Sequence, residues 1–159
     1  DAANEAAQMI RSNLIDCGVR VDPQMVYYDD LSIAGPDGPL YGRHFDLALT
    51  KWQAGDVSRC GRYLSSEIPA DGHWAGTNVS GYANPEYDTL CLQASASLPG
   101  TTVYQTRQRQ VLTLLSDELP SLPLFMGARI ALVRPGVAGL MLDGTSDSEL
   151  WNIEEISLK

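Results

Sequence analysis

Apolar positions along the chain repeat first with a helical period. Ala3, Ala6, Ala7, Ile10 and Leu14 share one face, and Gly18 follows as a left-handed stop. Val19, Val21 and residues 25–28 read as extended chain, interrupted by Pro23. Residues 29–44 are expected to be a loop with a short helix, Asp29-Asp30 reading as a solvated helix start, and Gly35-Pro36-Asp37-Gly38-Pro39 is turn chemistry inside it. Residues 45–52 are apolar on both sides in their middle, which predicts a buried central strand ended by Gly55-Asp56. Residues 57–83 carry no clean period, and a stretch of that length without elements is usually functional or cross-linked. Asn84-Pro85-Glu86 predicts a helix start: a capping amide, proline at the first helical position and an acid in the first turn.

The stripe of that helix is Tyr87, Leu90, Cys91, Ala94 and Leu98, and Pro99-Gly100 stops it. A second helix is capped by Thr101 or Thr102, lined by Tyr104, Val111, Leu112, Leu115 and Leu119, and ended by Pro120. Two short strands are expected at 122–126 and 130–133 around Gly127, followed by a tail with an apolar patch at Leu150-Trp151-Asn152-Ile153. Helices alternate with strands, so the expected class is α/β with a mixed sheet flanked by helices.

Composition narrows the function. Only 19% of residues are charged and 44% are hydrophobic, which is globular rather than disordered. The net charge is −9 and the 11 Lys and Arg residues are scattered, so no surface tracks a phosphate backbone and nucleic acid is excluded as a partner. No apolar run approaches the roughly 20 residues that cross a bilayer as a helix. Three cysteines and two histidines lack the close spacing of a zinc site, so no metal and no cofactor is expected.

Five segments carry a resemblance when taken in order. They are Asn13-Leu14-Ile15-Asp16-Cys17-Gly18-Val19-Arg20-Val21; Phe45-Asp46-Leu47-Ala48-Leu49 running into Trp52; Asn78-Val79-Ser80-Gly81-Tyr82 with Asn84-Pro85-Glu86-Tyr87-Asp88; the Arg107 and Arg109 helix leading to Leu119-Pro120-Ser121-Leu122-Pro123-Leu124; and Leu150-Trp151-Asn152-Ile153-Glu154. Together they are similar to the C-terminal lobe of the family-5 extracellular solute-binding proteins, the oligopeptide-, dipeptide- and nickel-binding type.

That resemblance implies the second lobe of a type II periplasmic-binding fold. It covers 1–159 as a single domain, with 137–159 packing toward an N-terminal lobe that lies outside the chain together with a lipoprotein signal. It also implies a non-enzymatic protein on the outer side of the cell membrane. Such a protein closes two lobes around a peptide or other small solute and hands it to the permease of an ATP-driven importer.

The resemblance and the rule that ligands gather at strand ends single out Trp52 and Asp56 as ligand-lining residues; the alternatives are a core Trp and a turn Asp. In oligopeptide-binding relatives an Asp three residues after this Trp receives the peptide ammonium, whereas here Gly55 holds that place and Asp56 follows. Asn78 and Tyr82 are expected to line the same cleft, with loop-stabilising bonds as the alternative for Asn78. Asn78-Val79-Ser80 also fits a glycosylation sequon, which is discounted in a bacterial-type protein. In an exported chain Cys60 and Cys91 are expected to form a disulfide worth roughly 3.7 kcal/mol in the chain-entropy model, the alternative being two buried thiols, and Cys17 is left free.

His44 and His73 fall in loops and no serine sits in a G-x-S-x-G elbow, so no nucleophile–base pair is evident. The competing readings are a sensing or docking domain of the same fold without a transport role, and a small α/β hydrolase.

Overall fold

The structure, a computed structural model, describes residues 2–51, 60–125, 130–143, 146 and 148–158. The protein is a small mixed α/β chain of four helices and one two-stranded antiparallel ribbon among the described residues. It divides into two compact units, one formed by Asp1–Lys51 and Ser65–Ala83, the other by Trp52–Leu64 and Asn84–Lys159.

The first unit opens with α1, Ala2–Asp16. It ends as the sequence predicts. Val19 N–H bonds to the Leu14 carbonyl at 2.9 Å and Gly18 N–H to that of Ile15 at 2.8 Å, with Gly18 at φ +82°. This double closure needs a residue in the left-handed region, where glycine carries no Cβ penalty. A single helical turn, α2, spans Tyr28–Leu31, at the start of the loop in which a short helix was expected, and takes in Tyr28 from the segment expected to be extended. The buried residues of this unit are Gly38, Pro69, Gly76 and Asn78, so close backbone packing rather than a cluster of large apolar side chains marks its interior among the described residues.

The second unit is built on a helical hairpin. The helix α3 spans Pro85–Ser95 and α4 spans Thr102–Glu118, and the two pack on each other. Asn84 caps α3 by accepting from Glu86 N–H at 2.9 Å and Tyr87 N–H at 3.1 Å, and Thr101 caps α4 through Tyr104 N–H at 3.3 Å. Tyr87, Leu90, Cys91 and Ala94 are buried as the stripe predicts, joined by Cys60 and Val111. Leu98 lies beyond the end of α3 and is exposed. On α4 only Val111 of the expected inner face is fully buried, while Leu112 and Leu119 point to solvent.

The expected mixed sheet flanked by helices does not form among the described residues. Segments 45–51, 122–125 and 130–133 run without strand pairing, and Leu47 and Leu132 are 74% and 97% exposed. The physical reason is that apolar character on both faces specifies burial but supplies no neighbour. A strand is stable only when another backbone completes its ladder. The two strands present, β1 (Val137–Ala138) and β2 (Ser157–Leu158), pair Val137 with Leu158 and Ala138 with Ser157. A type II periplasmic-binding fold is not seen in this architecture.

Candidate functional site

Of the four expected ligand-lining residues, Trp52 and Asp56 lie outside the described residues. Asn78 and Tyr82 lie together in the first unit, on a loop whose shape Asn78 dictates. Its backbone N–H bonds to the Glu67 carbonyl at 2.9 Å. Its side-chain Oδ1 accepts from the Ser80 hydroxyl at 2.9 Å and from Tyr82 N–H at 3.2 Å, and its Nδ2 donates to the Tyr82 carbonyl at 2.7 Å. At 1% exposure, Asn78 acts from inside the loop, as short amide side chains do when they mimic a backbone turn. Both ends of the amide are engaged, so the sequon nitrogen is enclosed in the folded chain.

The loop turns at Gly81, whose φ of +70° is open to glycine, and whose N–H bonds to the Asn78 carbonyl at 3.1 Å. It then delivers Tyr82 half-buried, with its phenol oxygen shielded from solvent. Asn78 is thus the residue that sets the loop, and Tyr82 is the residue the loop carries.

Sequence reasoning passed over two neighbours, Arg43 and Glu67. Arg43 donates from Nη1 to the Pro69 carbonyl at 3.2 Å and runs along Gly81. Glu67 receives the Thr77 N–H and hydroxyl, each at 3.4 Å, and sits 3.6 Å from His73 Nε2. These contacts join positions 6 to 38 residues apart in loops without periodicity, where no local signal marks them.

His73 and Thr77 approach the same carboxylate oxygen of Glu67, while His44 Nε2 lies 2.6 Å from the Pro36 carbonyl. A general base must reach the hydroxyl or thiol it would activate; in these pairings the two histidines meet a carboxylate and a backbone carbonyl. No group of three or more His, Cys, Asp or Glu side chains that could hold a metal ion is found among the described residues.

In the second unit, Cys60 and Cys91 are joined in a disulfide with Cα atoms 5.6 Å apart. It ties a short 3₁₀ turn, Cys60–Tyr63, to the middle of α3. Tyr63 and Ser121 are hydrogen-bonded through their hydroxyls, which ties the same turn to the chain after α4. Cys17 is an exposed free thiol.

No protein-family model matches the chain, and no curated protein and no solved structure matches it significantly.

Proposed function

We propose that this chain is the C-terminal lobe portion of a two-lobed solute receptor serving an ATP-driven importer, and that it captures a peptide or another small solute without chemistry of its own. The observation that carries the reading is the order of five motifs along the whole chain. The most specific is Asn78-Val79-Ser80-Gly81-Tyr82 followed at once by Asn84-Pro85-Glu86-Tyr87-Asp88. In this reading Tyr82, together with Trp52 and Asp56, meets the solute, and Asn78 fixes the loop that presents Tyr82.

Two further observations support it. A disulfide is compatible with an extracytoplasmic location, because thiols stay reduced in most cytosols. Exposed apolar side chains along 45–51, 122–125 and 130–133 are what a lobe displays when the backbones that would complete its sheet belong to another part of the receptor. The reading draws on sequence order and on these exposed segments, not on the fold, since the described residues form no helix-flanked sheet.

The test is a thermal-shift screen of the longer protein that includes this chain, using tri-alanine, nickel chelates and oligosaccharides. A ligand held by the native form alone raises the melting temperature, by about 2.7 kcal/mol of added stability at a hundredfold excess over Kd. A rise with one solute class, absent when the 159-residue chain is tested alone, is the expected outcome. Tight binding by the isolated chain, or a folded longer protein that responds to no class, would count against it.

A further inference from the structure

Two turns in the first unit close in the same way, yet place different residues at the same position. After α1 the left-handed residue is Gly18. In the 39–44 turn His44 N–H bonds to the Pro39 carbonyl at 2.9 Å and Arg43 N–H to that of Leu40 at 3.2 Å, the same pair of closures. There the left-handed residue is Arg43, at φ +55°. A side chain with a Cβ is disfavoured at this position, where glycine is the usual occupant.

What offsets that cost is visible at the far end of the arginine. Nη1 holds the carbonyl of buried Pro69. The stem and guanidinium lie along the outer face of Gly81, so that a Cβ built there would sit 3.4 Å from Arg43 Cδ and 3.5 Å from Nε. Gly81 is the residue just before Tyr82 and closes the Asn78 turn. The loop is therefore held from inside by the Asn78 amide and from outside by the Arg43 side chain.

We infer that Arg43 is a positioning residue for Tyr82: its guanidinium, bonded to Pro69 and laid against Gly81, fixes the loop that presents the phenol ring. The functional weight of this rests on the receptor reading above, in which Tyr82 meets the solute. The local claim stands by itself.

The test is amide hydrogen exchange on the 159-residue chain with Arg43→Met, Arg43→Lys and Arg43→Gly, read with the ring resonances of Tyr82. Losing a partly buried hydrogen bond and its packing is expected to speed exchange at Gly81 and Tyr82 about tenfold in Arg43→Met and to shift the Tyr82 ring signals, with α3 amides unchanged. Arg43→Lys, which keeps a donor for Pro69, restores most of the protection. Arg43→Gly relaxes the backbone but still exchanges as fast as Arg43→Met. The inference is overturned if Arg43→Gly protects the loop as well as the parent, if no variant changes it, or if α3 exchange accelerates equally. Loop results as expected, with no solute raising the melting temperature of the longer protein, would keep the positioning role and remove the receptor reading.

Discussion

The Tyr87 phenol donates a 2.7 Å hydrogen bond to the backbone carbonyl of Cys60, a residue 27 positions earlier, inside the same buried cluster that holds the Cys60–Cys91 bridge. Tyr87 has no exposed surface, so its ring fills the space between α3 and the 3₁₀ turn while its hydroxyl satisfies a carbonyl that water does not reach. Tyr87→Phe keeps the ring and removes the donor. It should cost about 1 kcal/mol, and Tyr87→Ala about 3–5 kcal/mol. Urea unfolding of the two variants, with unchanged slope, checks the ordering; equal losses would mean that the hydrogen bond, not the ring, dominates.

The disulfide is the second support of that cluster. Reduction should destabilise the second unit by about 3–4 kcal/mol, since the bridge closes a long loop in the unfolded chain. Intact protein should take up one alkyl label, on Cys17, and three after reduction and unfolding. Cys60→Ser with Cys91→Ser should lower the melting temperature by several degrees without altering exchange protection at Gly81 and Tyr82, because those amides bond within the other unit. Three labels on the native chain would contradict the bridge.

Asn78 is expected to be among the least replaceable polar residues of the first unit. Asn78→Ala removes the Nδ2 donor to Tyr82 C=O and the Oδ1 acceptor of Tyr82 N–H, which keeps the Ser80 hydroxyl at 3.3 Å, and should cost about 2–3 kcal/mol. Asn78→Asp keeps the acceptor for Tyr82 N–H but sets a carboxylate against the Tyr82 carbonyl, so it should recover little. Both should speed exchange at the Tyr82 amide. An unchanged rate in Asn78→Ala would show that the loop holds its shape without the amide.

Asn84 separates two electrostatic effects at the start of α3. Its Oδ1 caps the helix while its Nδ2 donates to Glu118 Oε1 at 2.9 Å. Asn84→Ala should cost about 1 kcal/mol. Aspartate is ordinarily as good a cap as asparagine, but here it would face the Glu118 carboxylate. Asn84→Ser should therefore be milder than Asn84→Asp, and Asn84→Asp should improve when Glu118→Gln is added. Thermal unfolding of these four variants decides it.

The parts legible in the sequence were those encoded within a few residues. Asn84-Pro85 marked the start of α3, Thr101 the start of α4 and Leu119-Pro120 its end, and Tyr87, Leu90, Cys91 and Ala94 of the stripe named the core, whereas α3 ends at Ser95, short of the stop expected at Pro99-Gly100. The site was only half legible. Asn78 and Tyr82 do share one loop, but the role of Arg43 depends on a contact across 26 residues of irregular chain, and nothing periodic announces it. Segments 45–51, 122–125 and 130–133 were read as strands because their composition fits a buried sheet; composition cannot supply a partner.

The starts of α3 and α4, the left-handed exit at Gly18, and the limit of one internal bridge among three thiols are fixed by the sequence itself, because each follows from the steric limits of one backbone position, a capping hydrogen bond or the count of thiols. Tertiary structure decided which thiols meet, which amide closes the 78–82 loop, and that apolar segments 45–51, 122–125 and 130–133 stand unpaired, because each depends on which distant backbone comes within hydrogen-bonding reach.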